Sequence, residues 1–210
     1  MRRQGMVFTA VFLSLVVWAG LGSGWAMQWP DTGQTKCYDN EKEITCPAPG
    51  QPFYGQDAQY QGPARSYTKL DAQGHDLPET AASWTMVRDN VTGLIWEMKT
   101  DDGSIHDKDN IYSWCDTNPD TNGGDPGGCN GGSDTEYFIK ALNNTAYGGF
   151  TDWRLPTVKE LSTLIKGDWS TPDLDATFFP NTALYNYWSS TTAAFQPDQA
   201  FVVWFQGDNH

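Results

Sequence analysis

Apolar positions along the chain come in short runs, separated by polar stretches rich in glycine and aspartate. Residues 84–88 and 94–98 have strand length and β-branched or aromatic content. Asp89-Asn90 and Thr92-Gly93 stand between them as turn residues, so the pattern predicts a hairpin with a loop longer than two residues. Further on the period changes. Tyr137, Phe138, Ala141 and Leu142 recur at i, i+1, i+4 and i+5, which is one face of a helix. Ser133-Asp134-Thr135-Glu136 reads as a capping box at its start, and Asn143-Asn144 with Gly148-Gly149 ends it. In Asp152-Trp153-Arg154-Leu155-Pro156-Thr157-Val158-Lys159-Glu160-Leu161 the proline pushes Leu155 out of the α region, so 152–155 is extended. Thr157 is then an N-cap with Glu160 three residues on, opening a helix over 158–165 that buries Val158, Leu161, Leu164 and Ile165. Residues 187–191 and 201–205 are the last strands. Strands and helices in this order predict an α+β fold: a twisted antiparallel sheet, two short helices and long loops.

Two stretches lack periodicity. Residues 27–80 are rich in Gly, Pro, Gln and Tyr and read as an extension before a domain over 81–210. Tyr54, Tyr60 and Tyr67 are the side chains that would pin this arm to a neighbouring surface. Residues 99–133 form a loop with seven glycines and aspartates at 101, 102, 107, 109, 116, 120 and 125. Loops of this length in a small domain carry function or are cross-linked.

The first 26 residues have the layout of a secretory signal peptide: Arg2-Arg3, an apolar core over 6–19, and Gly24-Trp25-Ala26 as the cleavage site. The apolar run is short and broken by glycine, unlike a membrane span. An exported product, periplasmic or extracellular, is expected, and not an integral membrane protein once processed. All four cysteines lie beyond the leader. Three pairings are open on paper, and proximity favours Cys37 with Cys46 and Cys115 with Cys129. Loss of Arg2 and Arg3 with the leader takes the net charge from −13 to −15. Such a surface repels nucleic acid and anionic lipid and offers few lysines for sulfated glycans.

Four blocks resemble one known family in order: Val87-Arg88-Asp89-Asn90-Val91-Thr92-Gly93-Leu94-Ile95-Trp96-Glu97, the Asp152 to Leu161 segment, Tyr187-Trp188-Ser189-Ser190-Thr191, and an aromatic strand over 201–205 with Gly207. They are similar to the Lcl C-terminal domain family, named from the Legionella collagen-like adhesin, over residues 84–207. The resemblance implies a C-type-lectin-like fold and an adhesin-like module that binds a glycan or a cell-surface protein. Fold analogy does not transmit function, so the site must be argued from its own residues. The family normally adds one more aromatic strand. Here the sequence ends at Gln206-Gly207-Asp208-Asn209-His210, and that last strand is expected to be missing.

Candidate chemistry sits mainly in the acidic loop. Asn118-Pro119-Asp120-Thr121-Asn122-Gly123 alternates side-chain oxygens as a calcium loop does, but position twelve is Cys129, so no EF-hand is supported. Asn118, Asp120, Asn122 and Asp125 are the candidate ligands for calcium, the one cofactor considered; a polar loop closed by Asx-turns is the alternative. Gln196-Pro197-Asp198 matches a galactose-selecting lectin tripeptide without the Trp-Asn-Asp strand that should follow, and otherwise reads as a surface turn. Among eight tryptophans after the leader, Trp114 and Trp169 are the candidates for exposed sugar platforms, the others reading as core. The expected ligand-binding set is therefore Trp114, Asp116, Asp120, Trp169, Gln196 and Asp198. No catalytic residue stands out, and residues 130–210 lack the cysteine pair that formylglycine-generating enzymes of similar fold require. A non-enzymatic binding module is expected. The alternatives are a structural surface protein without a discrete site and a hydrolase using paired carboxylates.

Overall fold

In the computed structural model the described residues are 28–166, 174–183 and 185–205, with the backbone alone of 10–11 and 15–17. The strands are β1 (Ala10–Val11), β2 (Leu15–Val17), β3 (Cys37–Tyr38), β4 (Glu43–Ile44), β5 (Tyr67–Leu70), β6 (Met86–Asp89), β7 (Leu94–Glu97), β8 (Asn186–Ala193) and β9 (Gln196–Trp204). The α-helices are α1 (Thr135–Asn144) and α2 (Val158–Ser162), with single 3-10 turns at Asp57–Gln59 and Tyr147–Gly149. One four-stranded sheet runs β2-β7-β6-β5, a three-stranded sheet runs β1-β8-β9, and β3-β4 is a small ribbon. The expected single sheet is thus divided among small sheets in a mixed α and β architecture, and β1 pairs with β8 in parallel.

The predicted hairpin is β6-β7, with Val87 opposite Trp96. Its loop closes by Gly93 N donating to the Asp89 carbonyl at 2.8 Å, while the Asp89 carboxylate accepts Val91 N at 2.8 Å. Every residue of β7 is buried. That follows from cover on both faces, as in the interior of a layered α/β sheet. Val87, Leu94, Trp96, Tyr187, Val203 and Phe205 face one apolar layer, closed by Leu161, Leu164 and Ile165 around α2. Leu70, Met86, Ile95 and Trp188 face a second layer, closed by Phe138 and Leu142 of α1 together with Tyr112, Trp114, Trp153 and Leu155. The period-2 alternation therefore assigns each side chain to one of two cores, not to core and solvent.

Helix α1 begins one residue later than its sequence implies. Asp134, not Ser133, is the N-cap and accepts Tyr137 N at 2.8 Å. Its other oxygen accepts Asn130 N at 2.8 Å, which ties the end of the acidic loop to the helix. Phe138 and Leu142 are buried, while Tyr137 is exposed. A Cβ at Gly148 would stand 2.2 Å from the Met86 sulfur at a positive φ, so only glycine fits the turn after α1. Helix α2 is shorter than expected, because the segment after Ser162 continues as a turn carrying Leu164 and Ile165 into the core.

The arm is partly integrated. Tyr67 opens β5 and packs against Phe178 and Phe179 at 5.3 and 5.5 Å, whereas Tyr54 and Tyr60 are exposed. The segment expected as an extension thus supplies a strand to the main sheet. Both expected disulfides are formed, Cys37–Cys46 and Cys115–Cys129. The expected signal peptide, residues 1–26, lies outside the described residues apart from the backbone pairing of β1 and β2; cleavage after Ala26 would remove both and free edges of β8 and β7. Residues 206–210, where a last strand would continue, also lie outside.

Candidate ligand-binding cleft

The site is framed by the Asp152 to Leu161 segment. Asn143 clamps its first part, donating to the Trp153 carbonyl at 2.9 Å and accepting Trp153 N at 2.7 Å. The capping box forms as expected: Glu160 N donates to Thr157 Oγ1 at 3.2 Å, and Thr157 N to the Glu160 carboxylate at 2.7 Å. The same carboxylate takes a two-pronged contact from Arg154, at 2.9 and 2.7 Å. Burial pushes the Glu160 carboxyl up, but the Arg154 contact and the Thr157 N–H outweigh it and hold the group below its ordinary value. Ser190 N donates to the Pro156 carbonyl at 2.8 Å and fixes β8 against this frame.

The acidic loop closes over the frame. Thr135 in the first turn of α1 exchanges two hydrogen bonds with the backbone of Cys115, at 2.8 and 2.7 Å. Cys115 pairs with Gly127 as an isolated antiparallel bridge, next to the disulfide. The Thr192 hydroxyl donates to the Thr121 carbonyl at 3.0 Å, bringing the loop onto the β8-β9 hairpin. Between loop, helix and frame lies a cleft of about 340 Å³. Trp114, Ile139 and Leu155 give it apolar walls; Asp116, Thr121, Thr135, Glu136, Arg154 and Ser190 give it polar ones. The Asp116 carboxylate accepts the Thr121 hydroxyl at 2.6 Å and Asn118 N at 2.9 Å. The Glu136 carboxylate holds the Thr117 hydroxyl at 2.5 Å and Lys140 at 3.0 Å.

Of the expected ligand-binding residues, Trp114 and Asp116 meet in this cleft. Trp114 is not the exposed platform expected: it is 3 % exposed, and Gly127 packs so tightly on its ring that a Cβ there would lie 2.6 Å away. It is a wall residue whose Nε1 has no hydrogen-bond partner among the described residues. Asp120 is exposed on the outer turn. Gln196 and Asp198 are exposed within β9, not in a turn before it, and Pro197 faces Gly123. Trp169 lies outside the described residues.

Three of the four candidate calcium ligands, Asn118, Asn122 and Asp125, have their side-chain oxygens engaged locally. Asn118 Oδ1 accepts Asp120 N at 3.0 Å, Asn122 Oδ1 accepts Gly124 N at 2.9 Å, and Asp125 Oδ1 accepts Gly127 N at 2.9 Å. These are Asx-turns. Carboxylates do converge at Asp101, Asp107 and Asp109, with oxygens within 4.8 Å of one another. Lys108 bridges Asp101 and Asp109 there, at 3.0 and 2.9 Å.

Sequence reading missed Arg154, Glu136 and Ser190 as cleft residues. It also missed a buried charged group at the root of the loop. The buried Glu97 carboxylate meets Lys99 at 3.2 Å and His106 Nδ1 at 2.7 Å. Lys99 sits over the Phe138 ring at 4.6 Å, and His106 stacks on Tyr147 at 4.4 Å. Burial pushes the Lys99 ammonium down from its ordinary value, with Glu97 opposing. An alternation of polar residues 97, 99 and 106 beside a hairpin is the only trace of it in the sequence.

The Lcl C-terminal domain family model matches residues 85–210, more than half of the chain. The chain belongs to the Lcl C-terminal domain family. No curated protein and no solved structure matches it. The Lcl match takes in both walls of the cleft and leaves out the arm. Membership makes this an adhesin-associated surface module, and its disulfides fit an exported protein. Among the described residues no helix is long and apolar enough to cross a membrane.

Proposed function

We propose that this protein is an exported, non-enzymatic binding module of lectin-like fold, periplasmic or at the cell surface, that holds a carbohydrate or protein ligand in the cleft between the acidic loop and the Asp152 to Leu161 frame. One observation carries the reading: a disulfide-closed loop places Trp114, Asp116 and Thr121 opposite Glu136, Ile139 and Arg154 around one cleft. A few placed polar groups on apolar walls suit a small-molecule site. Cross-linking the loop lowers the ordering cost of binding. Arg154 is committed to Glu160 and Glu136 is paired with Lys140, so Asp116 is the cleft carboxylate without a described ion pair and sets the local charge. A carboxylate beside apolar walls favours ligands that donate hydrogen bonds, such as neutral sugar hydroxyls or a basic peptide, over sulfated glycans. Calcium bound to the Asn118 to Asp125 turn would aid such binding. A glycan array probed with and without chelator, beside a basic-peptide array, is the test. Signal on neutral glycans or basic peptides is expected; signal confined to sulfated glycans, or turnover of the spotted glycans, would overturn the proposal.

A further inference from the structure

Strands β7 and β8 belong to different sheets but to the same core. Leu94 and Trp96 of β7 share the first apolar layer with Tyr187 of β8, and Ile95 shares the second with Trp188. All five side chains are at most 7 % exposed. The two strands thus alternate into one pair of layers, yet no hydrogen-bonded pairing joins them. β7 pairs with β6 on one edge, and β8 with β9 on one edge. On the other edge of each, the partner among the described residues is a short backbone segment from the start of the chain. Val16 of β2 lies opposite Ile95 in antiparallel pairing, and Val11 of β1 lies opposite Tyr187 in parallel pairing.

Both segments fall inside the stretch read as a leader, ahead of Ala26. Its removal strips hydrogen-bond partners from two strands whose side chains are core. Buried backbone N–H and C=O groups are costly to leave unpaired, and bare strand edges recruit other strands. The surroundings define what can replace the lost segments. A strand laid on these edges has an apolar layer over each face, so both alternations of its side chains are buried. That calls for a continuously apolar, uncharged run, as in sheets covered on both sides. Ala10-Val11 and Leu15-Val16-Val17 have that composition.

We infer that the free edges of β7 and β8 form a strand-acceptor site: β1 and β2 hold it before cleavage, and afterwards it takes an uncharged apolar strand donated by a partner chain. Main-chain hydrogen bonds supply the affinity, and the two apolar layers select the sequence. The donated strand runs parallel to β8 and antiparallel to β7, as β1 and β2 do. None of Leu94, Ile95, Trp96, Tyr187 and Trp188 lines the ligand cleft, so the two sites are separate.

The test is amide hydrogen exchange over 94–97 and 186–188 in the full, oxidised chain, in its Val16→Pro variant and in the chain begun at Met27. Each is measured with and without a synthetic peptide of residues 8–18 carrying lysine tails for solubility. Proline removes a ladder donor, so Val16→Pro should speed exchange over 94–97 about tenfold while α1 keeps its protection. The chain begun at Met27 should show the same loss over both stretches. The peptide should restore protection saturably, and a peptide carrying Val16→Asp should not, because it would bury an unpaired charge. Should the shortened chain fail to fold, Val16→Pro in the full chain decides. Unchanged exchange in Val16→Pro, no protection by the peptide, or equal protection by the aspartate peptide would overturn the inference. Protection regained by self-association alone, seen in sedimentation without peptide, would make a second copy the occupant and overturn the assignment to a partner.

Discussion

The two walls of the cleft are built by different physics. The Asp152 to Leu161 frame is held by burial: Trp153, Leu155 and Leu161 are all at most 9 % exposed, and a single ion pair and one capping box finish the geometry. The acidic loop opposite buries little beyond Tyr112, Trp114 and Cys115 among its apolar side chains. It is held instead by Asx-turns at 116, 118, 122 and 125, by the Thr135 exchange with Cys115, and by the disulfide. A packed wall has one arrangement and gives way with the whole domain. A wall of local hydrogen bonds opens in part and at lower free energy. Binding that needs one fixed and one adjustable side fits that division.

The largest expected effect is on the packed wall. Trp153→Ala removes a side chain 2 % exposed in the core against α1 and should cost about 3–5 kcal/mol in chemical denaturation. Loss should be cooperative, so frame and loop should unfold together. A loss under about 1 kcal/mol would mean that the frame is not what supports the cleft.

The loop should respond differently. Replacing Cys115 and Cys129 together by serine releases a loop that the chain-entropy account values at about 3 kcal/mol. Hydrogen exchange should speed up over 114–128 while α1 and α2 keep their protection. Equal loss of protection in the helices would erase the distinction between the two walls.

Acid should weaken the frame. The Glu160 carboxyl is held below its ordinary value of 4.5 in the folded protein. Its contribution is therefore fully present above that ordinary value and is lost as the pH falls through the lower, folded one. Glu160→Gln should cost about 1.5–3 kcal/mol near neutral pH and flatten the acid limb of the stability curve. Thr157→Ala, which removes only the cap hydroxyl, should cost about 0.5–2 kcal/mol. A variant as steep below pH 4.5 as the parent would place the acid sensitivity elsewhere.

The smallest effect is expected from calcium. Bound to the 118–125 turn, it must compete with the Asx-turn bonds, so millimolar calcium should add about 0.4–1 kcal/mol, reversed by chelator and reduced by Asp120→Ala. A shift lost in Asp101→Asn and kept in Asp120→Ala would move the ion to the other end of the loop.

The sequence was most readable where one residue sets the local geometry. Pro156, Thr157 and Glu160 specify the frame, and Asp89 with Gly93 specifies the hairpin loop; both appear as expected. It was least readable where burial comes from both sides. The strand Leu94–Glu97 looks like any half-buried strand until two helices cover it, and so Glu97 is met buried, with Lys99 and His106. Trp114 failed for the same reason: a tryptophan beside a cysteine in a polar loop looks exposed, but the glycine at 127 lets the backbone close over it. Arg154 anchors the frame through Glu160, yet its place on the cleft depends on Ser190 and Thr121, distant residues whose approach no local pattern announces.

The central claim is that one ligand cleft lies between these two walls. The most direct measurement compares array binding by the parent with that by Glu136→Gln and Ile139→Gln, two helix-surface changes in the cleft, each checked for an unchanged melting temperature. The account predicts that whichever neutral glycan or basic peptide binds the parent loses most of its signal in both variants. Full signal in both folded variants would contradict it.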